Sequence, residues 1–360
     1  MEPENRQPEK KQLHFLLPAF VGAGIFLAVV FAWLLGWNPL HYLLSSPAVP
    51  AQTTVINDLT NSGEVIDRSY RWSYDRQSWQ WNLAIPEDLY DYFSSMERAP
   101  VADYSLYATH PLDDAFLDEL AGHLIEEAGN CGFDDIERLH FAAAFVQDLA
   151  YLSEVEEYPK YPVETLVDKG GDCEDTAILM AALLKAMGYD AVLVNLSSPS
   201  PDQPGHMAVG VSLPGFSGGT KVVFDGRDYY YLETTCASDL GYMPEDYRDY
   251  DISIYELVRK PILKLSSLKW TTRAWPIGTL DLDATVTNWG TLGAADVQVR
   301  AFFEGRDSEA KVSLPFDLEY GHLISPVSVT KLELPSQGGT LCVQIVLDGR
   351  TVDEWSTSVA

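Results

Sequence analysis

Three residues in the middle of the chain have types and positions suited to thiol-dependent acyl transfer: Cys173 in GGDCED, His206 in GHMAVGV and Glu233 in YYYLETT. A thiol attacks a carbonyl only as the thiolate, so it needs surroundings that favour negative charge and a base that takes its proton. Cys173 opens the run DCEDTAILMAALLKAM. There the unpaired N–H groups and dipole of a first helical turn stabilise an anion. Glu174 and Asp175 beside it oppose ionisation, which makes a histidine partner necessary. His206 follows a Pro-Gly turn and opens a strand-like run, at a sheet end from which an imidazole can reach a helix N-terminus. A third group must orient that imidazole and stabilise its cation. Glu233 closes DYYYLETT, and if this strand runs antiparallel beside HMAVGVSL, the end of one meets the start of the other.

The elements that would position these residues can be read from periodicity and punctuation. VIDRSYRWSYDRQSWQWNLAIP alternates around Asp75-Arg76-Gln77 as a hairpin does, with Trp72, Tyr74, Trp79 and Trp81 forming a packing face. A short helix, PEDLYDYFSSM, follows Pro86, and longer helices are expected at about Asp113–Gly129 and Asp134–Tyr151. The prolines and paired glycines of EEYPKYPVETLVDKGGDC forbid a continuous helix there. The run from Asp172 to Met187 is apolar on nearly all faces, so its helix should be central and buried. DAVLVNL, HMAVGVSL, KVVFDG and DYYYLETT then read as strands without βαβ alternation, which indicates an α+β domain with an antiparallel sheet. This domain is expected over residues 64–265, closing with YELVRKPILKLSSLKW. From about Thr272 to residue 360 the pattern changes to short alternating strands, which predicts an immunoglobulin-like β-sandwich.

Taken in order, YPVETLVDKGGDCEDTAILMAALLKAMGYDAVLV, GHMAVGV and YYYLETT resemble the transglutaminase-like superfamily of papain-like fold, in particular its membrane-anchored archaeal members. The resemblance spans roughly Tyr70 to Arg259, including the hairpin and FVQDLAY. It implies a Cys173 nucleophile at a helix start, a His206 base opening a strand and an acid closing the next. It also implies an oxyanion site made by the Cys173 backbone N–H and an upstream donor, for which Gln147 is the candidate. One departure is that many members carry Asp-Pro-Thr where this chain has Glu233-Thr234-Thr235. A glutamate can do the same work with one more methylene, and Asp225 in FDGRD is the reserve.

Composition narrows the remaining choices. Hydrophobic residues make up 46% of the 360, enough for two cores, and the formal charge of -29 without a Lys/Arg cluster excludes a nucleic-acid partner. Leu13 to Leu35 is long and apolar enough to span a bilayer of about 30 Å. Arg6, Lys10 and Lys11 precede it and no Lys or Arg follows until Arg68, which predicts a cytoplasmic segment over 1–12 and a signal-anchor helix over 13–37. A linker over 38–63 follows, with everything beyond it outside the cell. A cleaved signal peptide is the competing reading. The four cysteines, Cys131, Cys173, Cys236 and Cys342, are too few and too scattered for a disulfide framework. His110, His123 and His140 lack metal spacing, so neither metal nor cofactor is expected. Asn195-Leu196-Ser197 is a glycosylation sequon that could accept a glycan only at an exposed strand edge. The expected activity is acyl transfer on a protein or peptide through a Cys thioester, resolved by water or by an amine. The alternative is a non-catalytic cell-surface binding protein that keeps the fold.

Overall fold

The computed structural model describes residues 52–55, 63–153, 157–200, 203–273, 278–321 and 324–359. The expected cytoplasmic segment and membrane anchor, and nearly all of the linker, lie outside them. Among the described residues no helix is long and apolar enough to cross a membrane.

Strands β2 (Val65–Tyr74) and β3 (Gln77–Pro86) form the expected antiparallel hairpin, and β1 (Gln52–Val55) pairs with β3 in parallel. Asp75 and Arg76 both take positive φ, 47° and 60°, as a two-residue turn of this hand requires. Alternation drives Tyr70, Trp72, Trp79 and Trp81 onto one buried face, where Trp72 and Trp79 pack against Phe141.

That phenylalanine comes from the helical layer: α1 (Glu87–Ser95), α2 (Asp114–Asn130), α3 (Asp135–Gln147), α4 (Pro162–Asp168) and α5 (Cys173–Ala186). Helix α3 is capped by Asp134, whose side chain accepts from Ile136 and Glu137, and it stops at Gln147 rather than at Tyr151. The last residues of that run instead form β4 (Ala150–Tyr151), paired in parallel with β5 (Gly170–Gly171). The proline-rich stretch before Cys173 holds α4, started by Pro162 and closed by Lys169 at φ 58°. From Glu174 to Leu184 every residue of α5 is buried, which is why its sequence is apolar all round.

Behind α5 stands a five-stranded antiparallel sheet in the order β10-β6-β7-β9-β8: β6 (Asp190–Ser197), β7 (His206–Ser212), β8 (Lys221–Phe224), β9 (Arg227–Leu232) and β10 (Asp251–Glu256). One face packs on the helices through residues such as Leu193 and Val209, and the other carries Val194, Tyr229 and Tyr231 under a cover that includes Met243 and Tyr247. The α+β expectation corresponds to this arrangement of helices on a mixed set of strands.

The second core lies between two antiparallel sheets. One is β11 (Leu263–Arg273), β12 (Thr279–Asn288) and β16 (Ile324–Glu333). The other is β13 (Ala294–Phe303), β14 (Lys311–Val312), β17 (Gly339–Leu347) and β18 (Arg350–Val359), with β15 (Phe316–Leu318) on β13. Leu263, Leu282, Val299 and Leu341 share this core. Strand β11 therefore belongs here, and ILKLSSLKW opens the second unit instead of closing the first, so the change of core falls between Leu257 and Leu263.

Candidate active site

The site is built where the N-terminus of α5 meets the starts and ends of β6, β7 and β9. Close approach there depends on the paired glycines. A Cβ on Gly170 would stand 2.2 Å from the Ala150 carbonyl oxygen, and one on Gly171 would stand 2.3 Å from Asp175 Cβ. Asp175 is fully buried and anchors the turn: it accepts from the Lys160 backbone N–H at 2.7 Å and from the Asp172 N–H at 3.3 Å, and Lys160 Nζ lies 3.3 Å away. Asp175 thus ties the preceding loop to α5.

Cys173 is the first residue of α5, and the nearby Met207 backbone N–H favours its thiolate. Its thiol donates to Glu174 Oε2 at 3.2 Å. Burial first, and then the Glu174 charge, push that thiol well above its ordinary range. His206 opens β7 and shares with Cys173 the wall of a cleft of about 510 Å³. Strands β7 and β9 pair antiparallel, with Val209 opposite Leu232, so Glu233 is carried past the end of the ladder towards His206. His206 Nε2 stands 3.0 Å from Glu233 Oε2 and 3.2 Å from Oε1. The imidazole also stacks on Tyr247 at 4.4 Å, with the rings 9° from parallel.

Glu233 is surrounded by donors. Oε1 accepts from the backbone N–H groups of Thr234 (3.0 Å) and Thr235 (3.1 Å) and from Thr235 Oγ1 (2.7 Å), and Oε2 accepts from Tyr231 Oη (2.8 Å). Burial by itself would raise this carboxyl, but His206 and the Thr235 donors hold it at about 2, so it is a carboxylate at any working pH.

Two sequence expectations are corrected here. Gln147 does not turn towards Cys173. Its Nε2 donates to the carbonyls of Glu233 (2.8 Å) and Ser238 (3.2 Å), which uses both amide hydrogens to hold the loop after β9. Asp225 sits exposed at φ 46° in the turn between β8 and β9, at the far end of the strand from Glu233. The six residues of β9 lie between them and span about 20 Å at some 3.3 Å per residue, so it cannot replace the glutamate.

Other contributors were not foreseen. Tyr231 shares a strand face with Glu233, two residues on, a signal that strand periodicity does carry. Tyr247 ends a short 3-10 turn, Glu245–Tyr247, and carries no such signal. Asn195 lines the cleft from β6, which lies between β10 and β7, so its sequon is on an interior strand and a glycan would fill the cleft. All four cysteines are free, and no cluster that could hold a metal ion is found among the described residues.

Residues 65–229 match the family described as "Transglutaminase-like domain". The match takes in Cys173 and His206 and ends short of Glu233. Among solved structures, similarity is found to Legionella pneumophila LapG, at 20% identity over 45% of this chain and 86% of that one, with a TM-score of 0.30. Red sea bream transglutaminase gives 10% identity over 81% of this chain and 70% of that one, with a TM-score of 0.28. M. smegmatis arylamine N-acetyl transferase gives 12% over 65% and 85%, with a TM-score of 0.21. No curated protein matches the chain. The matched residues 65–229 have mixed α/β content and are followed by a β-rich C-terminal part.

Proposed function

We propose that the transglutaminase-like domain is a cysteine acyltransferase acting on peptide or amide substrates, with Cys173 as nucleophile, His206 as base and Glu233 as the group that orients the base. The observation that carries this reading is the 3.0 Å contact between His206 Nε2 and Glu233 Oε2 at the wall of the cleft that holds Cys173. With Nε2–H committed to a carboxylate, Nδ1 is left bare to receive the thiol proton. The thiolate then attacks the carbonyl carbon, and the leaving amine takes the proton from the imidazolium. Water or a second amine resolves the thioester, giving hydrolysis in one case and transamidation in the other. Hydrolysis is the default in a cleft open to solvent.

The oxyanion falls to the Cys173 backbone N–H, which as the first residue of α5 has no intrahelical acceptor. The second donor we assign is Asn195 Nδ2, in place of Gln147. Asn195 lines the cleft and lies opposite Met207, which shares that cleft wall with Cys173. The cleft wall also carries Glu157, Asp172, Glu174, Tyr104 and Tyr151 and, among the described residues, no Lys or Arg. Neutral or cationic peptide segments suit it better than acidic ones.

We further propose that this domain lies outside the cell on a single N-terminal anchor, a reading supported by the apolar run at Leu13–Leu35 and the basic residues before it. The non-catalytic reading draws on one feature, the bond of the Cys173 thiol to Glu174 rather than to His206. Incubation of the full chain with a peptide library, read by mass spectrometry for cleaved and isopeptide-linked products, decides between them. Products that vanish in Cys173→Ala support the enzyme. Equal products in parent and variant, or none in either, count for the binding protein.

A further inference from the structure

The residue that follows the nucleophile is in an unusual place for an acid. First-turn glutamates are ordinarily solvated and gain from the helix dipole. Glu174 is only 8% exposed, lies in the wall of the cleft, and accepts the Cys173 thiol proton bond at 3.2 Å. We propose that Glu174 is a lock on the nucleophile, holding the thiol proton in the resting cleft in competition with His206. This rests on the reading of Cys173 as a nucleophile paired with an imidazole.

The groups that face Glu174 come from every neighbouring element. Asp172 precedes it at the helix start, and Tyr151 reaches in from β4. Tyr104 lies across from it with its hydroxyl on Glu157, and His206 and Tyr247 stand on the opposite wall. Only His206 among these can carry positive charge. Among the described residues an ionised Glu174 therefore has no fixed cation on the cleft wall, and its charge acts against a thiolate one hydrogen bond away.

In the unlocking step the Cys173 S–H bond breaks and the proton goes to His206 Nδ1, leaving thiolate and imidazolium. Total charge is unchanged. With Glu174 ionised, the product places two anions side by side. With Glu174 protonated, it places a thiolate beside a hydrogen-bond donor. Burial and the hydrogen bond with Asp172 bring the Glu174 carboxyl up to about 8. The lock is thus open below that pH and closed above it, the reverse of a simple thiol, whose reactivity climbs through its ordinary value of about 8.5.

Alkylation of the full chain by iodoacetamide tests this directly. The rate at Cys173 is read by peptide mass spectrometry from pH 6 to 9.5, with exposed Cys131 and Cys236 as internal controls. In the parent, the Cys173 rate should level off or fall above pH 8. Glu174→Gln and Glu174→Ala should keep rising and exceed the parent about tenfold or more at pH 9, with the controls unmoved. A merely structural role would lower the melting temperature of both variants without changing the shape of the profile. Profiles that superimpose on the parent's within about twofold at pH 9 overturn the lock. A His206→Ala arm keeps the two readings apart. It should slow alkylation at pH 7 about tenfold or more, and a rate equal to the parent's at every pH would refute the thiol–imidazole pairing and the lock with it.

Discussion

Replacing Glu233 by Gln exchanges one oxygen for an NH₂ group and leaves the shape of the side chain unchanged, so the consequence can be worked out atom by atom. Oε1 serves three donors, two Thr backbone N–H groups and the Thr235 hydroxyl. The amide oxygen will stay there. The new NH₂ then falls at Oε2, facing Tyr231 Oη and His206 Nε2. Tyr231 can rotate its proton away and accept. His206 can accept only by moving its own proton from Nε2 to Nδ1, the nitrogen that must be bare to take the thiol proton. The wrong tautomer becomes the stable one. The carboxylate's attraction for the imidazolium is lost as well. Burial works to raise the Glu233 carboxyl, and His206 is the largest of the causes that hold it down at about 2. Together these losses should slow turnover about 10²–10⁴-fold. The melting temperature should stay within about 4 °C of the parent's, since every hydrogen bond except one to His206 can be remade. The assay is single-turnover release of product from a peptide identified in the library, run with a thermal melt of the same sample. A folded Glu233→Gln chain with parental turnover would refute the orienting role assigned to Glu233.

Three further outcomes follow from separate parts of the structure. Asn195→Ala should lower kcat about 10²-fold or more with little change in KM, because an oxyanion donor acts only in the transition state; a rise in KM alone would assign Asn195 to substrate binding. Gly171→Ala should destabilise the fold by about 1–3 kcal/mol, seen as a lower denaturation midpoint, since its Cβ would stand 2.3 Å from Asp175 Cβ; an unchanged midpoint would show that the turn before Cys173 can yield. Asp113 is buried with Oδ2 unpartnered, and burial, then Asp114, raise its carboxyl well above the usual 3.8. Below pH 3.8 both folded and unfolded chains hold that proton and Asp113→Asn is silent. As the pH rises past 3.8 the unfolded chain releases it more readily, so the parent loses stability that the variant keeps. The variant should be more stable by about 1–3 kcal/mol at pH 7, and an equal advantage at pH 3 would contradict the assignment.

How far the sequence reached depended on the range of the signal. The hairpin at Asp75-Arg76, the buried helix after Gly171 and the antiparallel pairing of β7 with β9 were all legible, because turn chemistry and periodicity are local. The meeting of His206 with Glu233 followed from that pairing. What failed was non-local. Gln147 looked free on a helix end, and only the fold shows two carbonyls from the loop after β9 taking its amide. ILKLSSLKW alternates as well in one sheet as in another, and its partner β12 lies further along the chain. Tyr247 and Asn195 reach the cleft from elements whose sequence carries no catalytic pattern. The sequence shows the acid beside the nucleophile as an obstacle to ionisation, but its burial and its bond to the thiol arise only in the fold.

The central claim is that Cys173 forms a covalent acyl intermediate. Acid-quenched reactions of the full chain with the peptide library, mapped by mass spectrometry on the peptide that contains residue 173, test it most directly. The account predicts an acyl adduct on Cys173 that appears before free product and is absent from Cys131, Cys236 and Cys342. Cleaved or cross-linked product accumulating while Cys173 stays unmodified, and continuing at the parental rate in Cys173→Ala, would contradict it.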